Sequence, residues 1–514
     1  MPKPKQFLKE AKKKSKHAPQ VPTSADEFLA VGVDFEEAGE KWRGGDAAKS
    51  TRFFVRAIEC YDEGLRKFPM SFDLAYNKAR IQYELTQHPK LRKQLPGNLL
   101  DLLQVALDSS RYALKLKEDD ADVLFNTGQI LTSLVDALNE SNMVPDSIGQ
   151  SDLVQTSYQL LQEALELFAR CLSLQEAQYK EFQVQLASAA DSESSISNSG
   201  STATRSETPM TEDLEMCDGN LQMGDGNRTE EERWAAVVLP VSKEVLLDTI
   251  LAQLETATAL LSLITDVQQY TMLNNFSQAT LAKVTLYLAE TSNQMEINLA
   301  RAVYNSAAAD AGYRNRFPNA DSIVSYFTRI EDIWRTVAMG PPPPSAEGLS
   351  KRAEAYITAS NLIRLGPEGS TKQAGNSRWA LLTWALADLK AATNFRDDEN
   401  IANIYTTMGD VELWRFQMGM PPTSLPNAVK SKATLVKNAE TYYRGAKKLT
   451  ANRDLEQHAE ASTKESLAMV LAGSLDALPT GRSLPVTALQ IMSDAVEEGL
   501  VQWDQIPGHA GIGV

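Results

Sequence analysis

The sequence predicts an all-α protein in which antiparallel helix pairs stack into a solenoid. Ala, Leu, Glu and Lys dominate the 514 residues and alternating Val, Ile and Thr runs are scarce, a balance that favours helix over strand. Apolar residues also recur at spacings of three and four, as in Tyr61, Leu65 and Phe68, which places them on one helix face. Such faces must be buried against one another, so a helical bundle or a solenoid is expected.

Composition divides the chain into five segments. We predict a basic disordered tail at 1–22, helical repeats at 23–186, a disordered acidic and Ser/Thr-rich insertion at 187–232, further helical repeats at 233–475, and a C-terminal tail with one short helix at 476–514. The insertion has few large apolar residues, so burial cannot offset the entropy cost of ordering it. The prolines Pro341–Pro344 interrupt the second repeat segment, because proline blocks helical hydrogen bonding.

A recurring pattern of small and bulky residues favours the solenoid over a plain bundle. A small residue is followed four positions later by a bulkier one, and three positions after that by another small residue. This pattern occurs five times, in Ala57, Tyr61 and Gly64; Ala106, Ser110 and Ala113; Ala164, Phe168 and Cys171; Ala385, Leu389 and Ala392; and Ala439, Tyr443 and Ala446. Two helices approach within about 8–10 Å where small side chains meet. The pattern therefore predicts closely packed helix pairs.

This pattern resembles the second helix of the tetratricopeptide repeat (TPR). The resemblance implies a preceding or following first helix with a small residue at its eighth position. Ala79 and Gly128 stand at that position after the first two patterns, and Gly409 does so after the fourth if two residues are inserted. Upstream of the first pattern, Gly32 lies on a similar helix. We therefore predict TPR-like repeats, and leave open whether residues 233–345 follow them.

The repeats are irregularly spaced. Ala57 and Ala106 are 49 residues apart and Ala106 and Ala164 are 58 apart, whereas an unbroken TPR array steps by about 34. The additional residues fall between the two helices of a repeat, at Gln87–Asn98 and Asn139–Gln150. We expect these insertions to form loops that project from one rim of the array.

The TPR resemblance implies a groove along the first helices that binds a peptide or a helix of another protein. The positions that line it correspond here to Asp73, Tyr76, Arg80, Tyr83, Asp122, Phe125, Gln129 and Thr132. Aromatic and Arg residues commonly anchor protein partners. The alternative is that these rings pack against the next repeat. A clamp for the C-terminal carboxylate of heat-shock chaperones is not expected, because Asp122 occupies a clamp position and would repel a carboxylate.

The charge of the chain indicates the type of partner. The formal net charge is −16, and residues 1–20 contribute +6 from seven lysines and Glu10, so the remainder carries −22. Such an acidic surface attracts basic proteins and repels nucleic acid. We therefore predict a basic protein client, of the ribosomal protein or histone type, without direct nucleic acid binding. The alternative interpretation of the charge is that it serves solubility alone.

The sequence contains no residue pattern typical of catalysis, cofactor binding or metal binding. The four histidines, His17, His88, His458 and His509, have no Cys or His partner at metal-ligand spacing. No glycine-rich phosphate loop or nucleophile elbow occurs. No apolar run reaches the ~18 residues of a membrane span. Three scattered cysteines indicate an intracellular compartment.

Two short motifs suggest regulation. Lys12, Lys13, Lys14 and Lys16 match a nuclear import signal, with a solubilising tail as the alternative. Thr208, which precedes Pro209, is a candidate phosphosite for a proline-directed kinase. The sequence as a whole thus predicts a non-catalytic protein-binding scaffold of the nucleus or cytoplasm, an adaptor or escort chaperone for a basic client. The alternative is a structural subunit of a larger multiprotein complex.

Overall fold

The computed structural model describes residues 22–140, 150–196, 240–287, 294–317, 322–338, 345–395, 400–451, 454–474, 477–478 and 485–506. Within these ranges the chain forms seventeen α-helices and no strand, which confirms the all-α prediction. Most helices begin at a residue whose side chain accepts a hydrogen bond from the first turn. Ser24 accepts from the Glu27 amide at 3.2 Å, and Asn98 accepts from the Asp101 amide at 2.9 Å.

The described residues form two compact units. The first comprises those of Met1–Gln253 and Tyr287–Thr291, and the second those of Leu254–Leu286 and Ser292–Val514. The division falls inside a helix near residue 253, downstream of the segment 187–232 at which composition divides the repeats. Helical packing continues beyond that segment because the helix Lys243–Leu263 (α8) buries an apolar face that includes Leu246, Leu247 and Ile250.

The helices of the first unit follow one another in pairs. They are α1 (Ala25–Arg43), α2 (Ala47–Lys67), α3 (Phe72–Gln87), α4 (Pro89–Arg92), α5 (Leu99–Leu116), α6 (Ala121–Glu140), α7 (Gln150–Ile196) and the first part of α8 (Lys243–Leu263). Helix α1 packs against α2, α3 against α5, and α6 against α7. Three residues join α1 to α2, so the two helices run antiparallel.

The second unit continues the same arrangement. After α9 (Val267–Tyr287), its helices are α10 (Gln294–Asn315), α11 (Ile323–Ala338), α12 (Ala346–Leu365), α13 (Lys372–Ala392), α14 (Ile401–Gln417), α15 (Pro426–Thr450), α16 (Leu455–Leu471) and α17 (Val486–Glu497). Helix α10 packs against α11, α12 against α13, and α14 against α15. The large apolar core of this unit includes Trp334, Leu381 and Tyr443.

Close contacts between a glycine and an aromatic ring mark three of the pairs. A Cβ atom added to the glycine would lie 2.1, 2.6 and 2.4 Å from the ring in the pairs Gly32–Tyr61, Gly128–Phe168 and Gly409–Tyr443 respectively. Each glycine stands at the eighth position of a first helix, and each ring is the bulky residue of a second-helix pattern. The five alanines that open the patterns are fully buried. These contacts between small residues and rings agree with the close packing of helix pairs that the TPR resemblance implies.

The insertions differ in part from the sequence prediction. Residues Gln87–Asn98 were expected to form a loop, but they contain α4, and Leu91 is buried against Phe54 in the core. Helix α7 continues to Ile196, ten residues into the predicted insertion 187–232. The rest of that insertion, most of Asn139–Gln150, Pro341–Pro344 and residues 1–21 lie outside the described residues.

Helix α8 has the length and apolar composition of a membrane span. It is the one such helix among those described, and 67% of its most apolar window is buried within the protein. Burial of this kind is typical of a core helix, and Thr249 donates a hydrogen bond to Gln175 on α7 at 2.8 Å.

Candidate protein-binding site

The N-terminal halves of α3 and α6 lie side by side in the first unit and bring part of the predicted groove together. Asp73 is exposed, whereas Tyr76 and Asp122 are partly buried. The side-chain amide of Asn126 donates a hydrogen bond to the Tyr76 hydroxyl at 3.4 Å, which links the two helices. Burial and the nearby Asp122 carboxylate both raise the pKa of Tyr76, so its hydroxyl stays protonated at neutral pH.

Two predicted groove residues are buried in the core of the first unit instead. Tyr83 and Phe125 are each 6% exposed. The Tyr83 hydroxyl donates to the Gln129 carbonyl at 3.3 Å, and the Phe125 ring meets Phe168 edge-on at 5.5 Å. Thr132 donates to the same carbonyl at 3.0 Å. In these positions both rings pack within the array, as in the alternative interpretation of the sequence.

Arg80 belongs to a network of ion pairs and hydrogen bonds that joins α1, α2 and α3. Its guanidinium contacts Glu36 of α1, and it lies 3.3 Å from Glu84 one turn along α3. The Tyr61 hydroxyl of α2 donates to Glu36 at 2.5 Å. Burial raises the pKa of Glu36, although Arg80 and Tyr61 stabilise its charged form. Arg80 therefore joins helices, and its guanidinium is already engaged by two carboxylates.

A second groove, which the sequence did not predict, lies in the second unit between α12 and α14. Its cavity is about 810 Å³, and α13 contributes Leu389 to its lining. Phe395, which is 44% exposed, lies at its edge. Asn403 and Thr407 line it from α14. With Gly409 at the eighth position of a first helix, these two residues occupy positions two and six. The sequence could therefore have placed both residues in the repeat by counting back from Gly409.

Several predicted residues cannot be placed. Lys12, Lys13, Lys14, Lys16 and Thr208 lie outside the described residues, so the import signal and the phosphosite stay predictions. Within the part of the chain that is described, no group of three His, Cys, Asp or Glu side chains is arranged to hold a metal ion. The Cys171 thiol is buried and donates to the Ala121 carbonyl at 3.2 Å, which indicates a packing role.

Comparison with known proteins gives a partial match. No family model matches the chain. The chain is 30% identical over 176 residues to the UPF0656 protein C926.02 of Schizosaccharomyces pombe, and this match covers 34% of the chain and 35% of that protein. The chain therefore spans about a third of the length of this relative.

Three solved structures are also similar at low identity. The S. pombe nuclear import adaptor Nro1 is 10% identical, with a TM-score of 0.31 over 81% of this chain and 95% of that one. A circular tandem repeat protein is 10% identical, with a TM-score of 0.30 over 92% and 96%. Yeast Tom70 is 11% identical, with a TM-score of 0.15 over 91% and 96%. At these TM-scores we carry no function over from the three proteins.

Proposed function

We propose that the chain is a non-catalytic protein-binding scaffold that acts as an adaptor or escort for a basic protein client. The observation that carries this proposal is the surface formed by Asp73, Tyr76 and Asp122 on neighbouring first helices. Lys117 lies near this surface, 4.9 Å from the Phe72 ring, but its ammonium group is paired with Asp120 at 2.7 Å. Lys117 therefore does not neutralise Asp73 and Asp122, and the surface that they form with Tyr76 is negatively charged.

This surface suits a Lys or Arg side chain of a partner. The cationic head group can pair with a carboxylate while the aliphatic stem packs on the Tyr76 ring. An exposed ion pair contributes only about 0.2–1 kcal/mol, so a single contact does not hold a client. The net charge of −16 adds a long-range attraction for a basic client.

The double variant Asp73→Asn/Asp122→Asn tests the proposal. We expect it to bind a fluorescently labelled Lys- and Arg-rich peptide roughly 2–30-fold more weakly than the wild type, because two ion pairs with the peptide are lost. Fluorescence anisotropy at about 0.1 M salt measures the dissociation constant. Circular dichroism establishes that the variant is folded.

The matched control is Glu59→Gln/Asp108→Asn. Both residues are exposed on second helices, and the control changes the net charge by the same +2. We expect the control to bind the peptide within about twofold of the wild type, because screening at a Debye length of ~10 Å limits the effect of distant charges. Equal weakening in the two variants would show that overall charge, and not this surface, binds the client.

A further inference from the structure

The first unit has a second charged surface, at the end where α1 turns into α2. The insertion that contains α4 packs against this end. The Arg43 guanidinium contacts the His88 ring at 3.1 Å, and the Thr51 hydroxyl contacts the Leu91 carbonyl at 3.5 Å. Leu91 is 1% exposed and packs against Phe54. The insertion is therefore held in a fixed position beside α2.

Basic side chains are concentrated on this end of the unit. Segments 41–56 and 87–98 contain eight Lys and Arg residues and one acid, Asp46, so together they carry a formal charge of +7 in a chain of net charge −16. Six of the eight basic residues form a surface that we call the basic rim: Lys41, Lys49, Arg52, Lys90, Arg92 and Lys93. Four of the six are exposed, and Lys49 and Arg92 are partly buried.

The carboxylates near the basic rim do not neutralise its positive charge. Asp46 caps α2 by accepting from the Lys49 amide at 2.9 Å, and Glu40 is paired with Arg43, which is not part of the rim. Over the described residues, no ion pair joins a carboxylate to any of the six rim side chains. The Lys49 ammonium lies 3.3 Å from the centre of the Trp42 ring, which is itself 36% exposed.

We infer that the basic rim binds an acidic segment of a partner protein. Lys and Arg side chains without carboxylate partners are complementary to Asp and Glu, and the Trp42 ring offers apolar contact beside them. The rim is confined to residues 41–52 and 90–93, so it suits a short acidic segment. A long nucleic acid would extend past it over exposed acids of α2 such as Glu59 and Glu63, and would be repelled there.

The basic rim is separate from the surface proposed for a basic client. It lies on the end of α1, on α2 and on the α4 insertion, whereas the client surface lies on the first helices α3 and α6. The two surfaces have opposite charge, so one chain can hold a basic and an acidic polypeptide together. The inference does not rest on the proposed function, because either surface can bind its partner without the other.

The variant Arg52→Glu/Lys90→Glu/Lys93→Glu tests the inference in the full chain. The probe is a short labelled peptide of Asp, Glu and Gly, and fluorescence anisotropy measures its binding. We expect the wild type to bind the peptide, and the variant to bind at least about tenfold more weakly because three attractive charges become repulsive. Binding of a Lys- and Arg-rich peptide should remain within about twofold, as screening separates the two surfaces.

The matched control is Lys115→Glu/Lys430→Glu/Lys448→Glu, which reverses three exposed charges elsewhere. The control should retain the acidic peptide, and equal loss in both triple variants would overturn the inference. Failure of the wild type to bind the acidic peptide would also overturn the inference. Tighter binding of a single-stranded RNA of equal charge, lost in the rim variant, would assign the surface to nucleic acid instead.

Discussion

At the scale of single residues, the packing of the repeats depends on contacts in which a glycine admits an aromatic ring. Gly32 allows the Tyr61 ring to lie directly against the backbone of α1. The ring cannot easily shift, because Tyr61 is fully buried and its hydroxyl is bonded to Glu36. A side chain at residue 32 therefore has to displace a ring that is fixed at both ends.

We predict that Gly32→Ala destabilises the first unit. The added Cβ would lie 2.1 Å from Tyr61 Cε1, and overpacking of this kind costs about 1–3 kcal/mol. The higher helix propensity of alanine offsets at most about 1 kcal/mol of that loss. Thermal unfolding followed by circular dichroism should therefore show a lower midpoint than the wild type.

Gly44→Ala is the control for this substitution. Gly44 ends α1 with right-handed helical dihedral angles, and no atom lies within 4 Å of an added Cβ. We expect its unfolding midpoint to stay close to that of the wild type, with a change in stability within about 0.5 kcal/mol. Similar midpoints for the two variants would contradict the packing argument.

Residue types identified the positions of close packing but not the direction of every side chain. The offsets of Ala57, Tyr61 and Gly64 repeat along the chain because helix contact requires small residues there. The aromatic residues Tyr83 and Phe125 were compatible both with an exposed groove and with a buried core, because an aromatic ring is found in either environment. The sequence does not show the neighbouring repeat, and its position decides which ring is buried.

At the scale of elements, the long helices were predictable and the short one was not. A helix such as α2 repeats its apolar spacing over five turns. Helix α4 has four residues, too few for any period, and its Pro and Lys residues are typical of a loop. It is helical because Leu91 and Leu95 pack onto Phe54 of α2, a tertiary contact that local sequence does not contain.

We predict that Leu91→Ala destabilises the first unit and weakens the basic rim. Removal of a buried leucine side chain costs about 2–5 kcal/mol. Since α4 carries Lys90 and Arg92, loss of its anchor should also weaken acidic-peptide binding. Thermal unfolding and fluorescence anisotropy measure the two effects.

Gln94→Ala is the matched control, because Gln94 is exposed in the same insertion. It should change neither the unfolding midpoint nor the dissociation constant. If Leu91→Ala unfolds at the wild-type midpoint, then α4 is not an integral part of the core.

At the scale of the whole molecule, charge governs the encounter with partners. The net charge of −16 acts on a basic client before any contact forms, whereas the +7 of the two segments that contain the basic rim acts only near that surface. Both effects follow from the distribution of Lys, Arg, Asp and Glu. The net charge can be counted from the sequence, but the basic rim exists only because the fold brings segments 41–56 and 87–98 together.

The salt dependence of client capture tests this argument. We predict that association of a Lys- and Arg-rich peptide slows at least about tenfold between roughly 0.05 and 0.5 M salt, because the Debye length falls from about 14 Å to 4 Å. The dissociation rate should change less, since long-range steering acts mainly on association. Stopped-flow fluorescence separates the two rates.

A peptide of the same length with Gln in place of Lys and Arg should show no such dependence. Salt-insensitive capture of a neutral or acidic client would contradict the role of the acidic surface, and would leave shape complementarity along the first helices as the source of specificity.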